Sequence, residues 1–108
     1  MVLAEYKEIR MDAASNRLGM PEERVARIAK SFLSGEILDL LKTALKEESQ
    51  EGCRLHLHTI RGAAANVGLV GLFKFASEHE ENIKNGQSFT HENFKMLETI
   101  WAETASKF

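Results

Sequence analysis

Apolar residues recur every three or four positions along almost the whole chain, the spacing that gives a helix one buried face. Between Glu22 and Glu48 they are Val25, Ile28, Phe32, Leu33, Ile37, Leu40, Leu41, Ala44 and Leu45, which make one wide face. The pattern predicts a long helix over 21–48, with Ser34-Gly35 as the place where it bends or splits. Pro21 suits the first turn of this helix, and Glu22 and Glu23 complement the positive end of its dipole. Upstream, Leu3, Tyr6, Ile9, Ala13 and Ala14 predict a short first helix over 1–18, closed by Leu18-Gly19. After the polar connection Glu47 to Gly52, a helix over 51–67 sets Cys53, His56, Ile60, Ala63, Ala64 and Val67 to one side, with Leu57 at the edge, and Gly68 ends it. The next helix, over 69–85, turns Leu72, Phe75, Ala76, His79 and Ile83 inward and stops at Asn85-Gly86. Thr90 caps a last helix over 91–107, whose inward residues are Phe94, Leu97, Ile100 and Trp101. No stretch alternates apolar and polar residues for long enough to make a strand. The expected fold is all-α, an antiparallel four-helix bundle with a short additional N-terminal helix.

Composition narrows this further. The 108 residues suit a single domain over 1–108, with a core large enough to fold without staples. A net charge of -2 and the lack of a lysine and arginine cluster argue against nucleic acid as a partner. The lone Cys53 has no disulfide partner and fits a reducing compartment. No apolar run is long enough to span a bilayer, and the first residues do not read as a signal peptide. The expectation is a cytoplasmic protein without direct membrane insertion.

Chemistry concentrates between His58 and Gly68. Each residue advances about 100° around a helix, so Arg61, Gly62 and Ala65 all fall within about 60° of His58 on one stripe. An imidazole is a nucleophile and proton acceptor near neutral pH, and a guanidinium one turn away supplies a fixed positive charge for an incoming phosphate. Gly62 costs a helix about 1 kcal/mol relative to alanine, which suggests that something large approaches the backbone beside His58. On spacing alone, a surface histidine on a closely packed helix explains the stretch equally well. Metal binding is disfavoured, since His56 and His58 point about 160° apart and no His-x-x-x-His pair exists. His56 and His79 fall on expected core faces, and His91 lies in the first turn of the last helix. With no glycine-rich phosphate loop, ATP binding and self-phosphorylation are not expected.

His58, Arg61, Gly62 and Gly68 together resemble the signature of histidine-containing phosphotransfer (HPt) domains, the helical relays of bacterial two-component phosphorelays. That signature is His-x-x-Lys/Arg-Gly with a further glycine ten residues after the histidine. The likeness continues upstream through Arg17-Leu18-Gly19, Glu22, Val25, Ile28 and Phe32-Leu33, and downstream through Leu72, Phe75, Ala76 and the acidic Glu80, so that it spans roughly residues 12 to 86. Arg61 stands where the family most often has lysine, Ala63 where it often has serine, and His79 at a usually aliphatic position.

The resemblance implies a phosphorelay intermediate that accepts a phosphoryl group on His58 from the phospho-aspartate of a receiver domain and passes it to another receiver. Arg61, Gly62 and Ala65 would form the docking face, and Lys84 lies where some HPt domains carry a basic residue facing the phosphohistidine. Arg54, one turn before His58, would extend the positive patch. The implied partners are a response-regulator receiver domain and a hybrid sensor histidine kinase. No cofactor of its own is implied, and Mg²⁺ is expected on the receiver. Such a histidine phosphotransfer protein has no autokinase activity and is barely an enzyme. Two other readings stand beside this one: the phosphotransfer domain of a chemotaxis-type kinase, and a non-catalytic signalling interaction bundle.

Overall fold

The periodicity resolves into six helices: α1 (Met11–Leu18), α2 (Glu22–Leu33), α3 (Ile37–Lys46), α4 (Gln50–Asn66), α5 (Val70–Lys84) and α6 (His91–Ala105). They are seen in a computed structural model that describes residues 5–108, among which there is no strand. Leu3 lies outside the described residues.

The single helix expected over 21–48 is two helices, split at Ser34-Gly35. The oxygen of Leu33, one of the carbonyls left open where α2 ends, accepts from the indole Nε1 of Trp101 at 2.9 Å and is satisfied from across the bundle. The hydroxyl of Ser34 donates to the carbonyl of Lys30 at 2.8 Å and closes the end of α2. Pro21 sits at the N-cap of α2 rather than within its first turn.

The first helix is also shorter than the expected 1–18, because α1 begins only at Met11. Residues 8 to 10 spend their backbone groups elsewhere. The Arg10 amide donates to the carbonyl of Gly68 at 2.7 Å, and the Gly71 amide donates to the carbonyl of Glu8 at 3.0 Å. This segment therefore lies across the corner between α4 and α5 instead of continuing α1. Tyr6 anchors it, with its hydroxyl donating to Glu78 at 2.7 Å and its ring edge-on to Phe75.

The other expected boundaries lie within two residues of those observed. Gly19, Gly68 and Gly86 all take positive φ at helix ends, the conformation that glycine adopts without penalty. Thr90 and Asn93 form a reciprocal capping box at the start of α6. Gln50 uses its side-chain amide like a second backbone: it donates to the carbonyl of Phe89 at 3.0 Å and accepts from the Phe89 amide at 2.7 Å. That clamp ties the loop before α6 to the start of α4.

α4 packs on both α3 and α5, α5 packs on α6, and α6 packs on α2. The broken α2–α3 unit, α4, α5 and α6 thus form a closed four-membered ring, with short turns making successive members antiparallel. Its interior holds Val25, Leu41, Leu57, Ile60, Phe75 and Leu97, each essentially without solvent contact. Every such side chain contributes about 1.5–3 kcal/mol through burial.

Candidate functional site

The circumference of α4 divides into sectors that decide what each side chain can meet. Cys53, Leu57, Ile60 and Ala64 point into the core. On the opposite side Leu55, His58, Thr59, Gly62, Ala65 and Asn66 are all exposed. Leu57 therefore belongs to the centre of the buried sector and not to its edge. This rotation leaves His56 half-buried, on the edge of α4 away from α5, rather than in the core. His79 is half-buried too, its ring 4.2 Å from that of Phe75 and edge-on to Phe89 at 5.5 Å, and burial pushes its pKa below the usual histidine value.

His58 stands at the border between the exposed sector and α5, with 62 % of its side chain open to solvent. One turn of α5 reaches it. Glu80, 1 % exposed, presents its two carboxylate oxygens 3.0 and 3.3 Å from His58 Nδ1. A carboxylate only accepts, so Nδ1 carries the proton of the neutral ring and Nε2 keeps the lone pair. One buried carboxylate thus sets both the orientation and the tautomer of an exposed imidazole.

Glu80 is also the meeting point of the nearby cations. Arg61 Nη1 donates to Oε1 at 3.1 Å, and Arg54 Nη1 and Lys84 Nζ each lie 3.6 Å from Oε2. Arg54 is held from its other side by Glu51, at 2.6 and 2.9 Å. Burial pushes the Glu80 carboxyl up, but the hydrogen bond from His58, the charge of Lys84 and the hydrogen bond from Arg61 outweigh it and hold the group below the usual carboxylate range. The cluster is a charged network with its anion inside and its cations at the rim.

The sequence-derived site residues take two kinds of place. Arg61 and Lys84 converge on Glu80 beside His58. Gly62 and Ala65 lie on the open face of α4, and a β-carbon added at Gly62 would meet nothing within 4 Å. Among the described residues, none uses the space that Gly62 leaves. Leu55, 50 % exposed, extends the same face by one turn. The carbonyls of Ala65 and Asn66 accept from Arg17 Nη2 at 2.7 and 2.9 Å, so α1 closes the end of α4.

Glu80 is the residue that periodicity missed, and a signal for it was present. It lies four residues after Ala76, on the stripe that α5 buries, and a lone carboxylate there needs cations from a neighbouring helix. Among the described residues no cluster of three or more His, Cys, Asp or Glu is placed to hold a metal ion, and no helix is long and apolar enough to cross a membrane.

Comparison with known families agrees with this geometry. The family model described as Hpt domain matches residues 33–104, which run from the last residue of α2 almost to the end of α6 and include His58, Arg61 and Glu80. No curated protein and no solved structure matches the chain. A match over two thirds of the sequence, on a helical bundle with an exposed histidine at the motif position, places the chain in the Hpt domain family, whose domains serve histidine phosphotransfer in phosphorelays.

Proposed function

We propose that His58 is the phosphoryl carrier of a phosphorelay, loaded from the phospho-aspartate of a receiver domain and unloaded onto a second receiver. The observation that carries this reading is the His58–Glu80 pair, an exposed Nε2 lone pair on a ring whose Nδ1 proton is held by a buried carboxylate. The lone pair attacks phosphorus in line with the leaving carboxylate. A P–N bond forms at Nε2, the P–O bond to the aspartate breaks, and the carboxylate leaves with the electron pair. The ring becomes a phosphoimidazolium with its Nδ1 proton in place, and Glu80 offsets the new positive charge. No proton has to leave during transfer, so the reverse step is equally open.

Arg61 lies within one turn and supplies positive charge towards the transferred group, while Gly62, Ala65 and Leu55 offer a low surface for a receiver to approach. In this reading the receiver and the hybrid kinase are the partners. Mg²⁺ belongs to the receiver, where it would neutralise charge on the phosphoryl oxygens.

The test is incubation of the chain with a phosphorylated receiver, followed by assay for acid-labile, alkali-stable label. The parent should be labelled, and His58→Gln should fold like the parent and take none. Label retained by His58→Gln would move the carrier elsewhere. A parent that takes no label from any receiver would leave an interaction bundle without phosphotransfer.

A further inference from the structure

The ring of helices has a second seam with its own chemistry. Because α4 and α5 stand between α3 and α6 on one side of the ring, the seam between α3 and α6 lies opposite the one that holds His58. A cleft of about 300 Å³ opens there. Its floor is Leu45 and Phe94, each 5 % exposed. One wall carries Lys42 and Lys46 from α3, and the other carries His91 and Lys95 from α6. Glu98 is the one acidic side chain among its lining residues.

The charges distinguish this cleft from an ordinary solvated surface. Lys42, Lys46 and Lys95 take part in no ion pair among the described residues, whereas Arg54, Arg61 and Lys84 around His58 are all paired. Lys42 and Lys46 are spaced four apart on one helix, a like-charge arrangement that slightly disfavours the helix. A chain of net charge -2 thus concentrates unpaired positive charge over one apolar floor.

We propose that the α3–α6 cleft docks an acidic segment of a partner protein. The segment would seat one aliphatic or aromatic side chain on Leu45 and Phe94 and set carboxylates against Lys42, Lys46 and Lys95. The concave shape favours a peptide over a bilayer, since the apolar atoms are recessed below the lysines, where a side chain reaches and a flat surface does not. Charge complementarity of this kind steers encounter and fixes register. A partner held at this seam leaves His58 free on the far side, so tethering raises the local concentration of a relay partner without blocking transfer. The inference does not depend on the phosphotransfer reading.

The experiment is a ¹H–¹⁵N titration of the full chain with a synthetic peptide of glutamates flanking one leucine. Saturable shifts are expected at Lys42, Leu45, Phe94 and Lys95. They should be absent with a peptide of lysines around the same leucine, and weakened by about tenfold or more in the Lys42→Glu, Lys46→Glu double variant. A Lys42→Gln, Lys46→Gln pair, with melting curves for both variants, separates lost charge from lost fold. Labelling of His58 should be unchanged in all of them. The proposal is overturned if no shift saturates, if the shifts centre on Arg54, Arg61 and Lys84, or if an all-glutamate peptide binds as well as the leucine one. It is also overturned if phosphatidylserine vesicles bind the chain and the peptide does not.

Discussion

The backbone of Tyr6 runs so close over Gly71 that a β-carbon on residue 71 would collide with the Tyr6 carbonyl. Glycine is needed there for close approach rather than for its φ, which is not positive. The contact belongs to the same corner as the Gly71–Glu8 and Arg10–Gly68 backbone hydrogen bonds. Gly71→Ala must therefore push residues 6 to 10 off the corner or distort the start of α5. The expected loss is about 1–3 kcal/mol, read as a lower melting temperature together with faster hydrogen exchange at the Arg10 amide.

Glu80→Gln separates the charge of the network from its hydrogen bond. The amide oxygen of glutamine still accepts from His58 Nδ1, but it no longer offsets the phosphoimidazolium or anchors Arg54, Arg61 and Lys84. With a charge-assisted hydrogen bond worth about 1.5–3 kcal/mol, transfer to His58 should slow by about ten- to a hundredfold while the fold persists. Acid melts give an independent readout. The Glu80 carboxyl is held below its ordinary range, so its stabilisation is complete above about pH 4.3 and is lost as the pH falls through the lower folded value. The parent should show that loss, and the glutamine variant should show less of it. Unchanged transfer rates in Glu80→Gln would reduce Glu80 to a structural ion-pair partner.

The helices, their glycine stops and the Thr90 cap were legible because each rests on neighbours in sequence: a 3.6-residue period, a positive φ, a side chain reaching its own third amide. What the pattern missed depends on distant partners. Trp101 satisfies the open Leu33 carbonyl at the end of α2 from 68 residues away, and the α4–α5 corner takes the backbone of residues 8 to 10 out of the first helix. The site divides in the same way. His58, Arg61 and Gly62 share a stripe of one helix and could be read from spacing, whereas Glu80 reaches them from 22 residues further on, across the α4–α5 seam. Leu57 and His56 exchanged roles through a rotation of α4 by roughly 40°, less than half of one residue's step, a shift that a helical wheel does not resolve when apolar residues occupy most of the circumference.

His79 gives the fold a second dependence on pH, in a higher window than Glu80. Its ring sits between Phe75 and Phe89, and burial lowers its pKa from the usual histidine value. The unfolded chain therefore binds a proton at His79 before the folded chain does. Stability is fully present above about pH 6.5 and declines as the pH falls towards the lower folded value. His79→Phe should flatten the melting temperature as the pH falls below about 6.5 without altering its slope in the more acidic range, where carboxylates dominate.

Arg17 compensates for a feature that α4 lacks. The last turn of α4 has no basic residue, and the guanidinium of Arg17 supplies that charge from α1 by donating to the carbonyls of Ala65 and Asn66. Both the hydrogen bonds and the dipole favour a cation there. Arg17→Ala should cost about 1 kcal/mol and loosen α1 against α4, seen as faster exchange in α1. Arg17→Lys should recover only part of the loss, because a single ammonium does not reproduce the planar fork.

Gly62 separates stability from docking. Among the described residues, nothing beyond the helix's own turn lies within 4 Å of a β-carbon placed there, and its φ is not in the positive range. Alanine is therefore free to take the helical conformation and should stabilise α4 by up to about 1 kcal/mol. If the open space beside His58 is the footprint of a receiver, a longer side chain must stand in it. Gly62→Gln should then melt at or above the temperature of the parent, since glutamine is also a good helix former, yet accept label from a phosphorylated receiver far more slowly. Small phosphoryl donors need no protein surface, so phosphoramidate should label Gly62→Gln and the parent at similar rates. That combination, normal chemistry with a small donor and impaired transfer from a receiver, assigns Gly62 to protein docking. Equal rates with both donors would show that the glycine does not mark the approach of a partner, and the α4 face would lose its claim to be the receiver's landing surface.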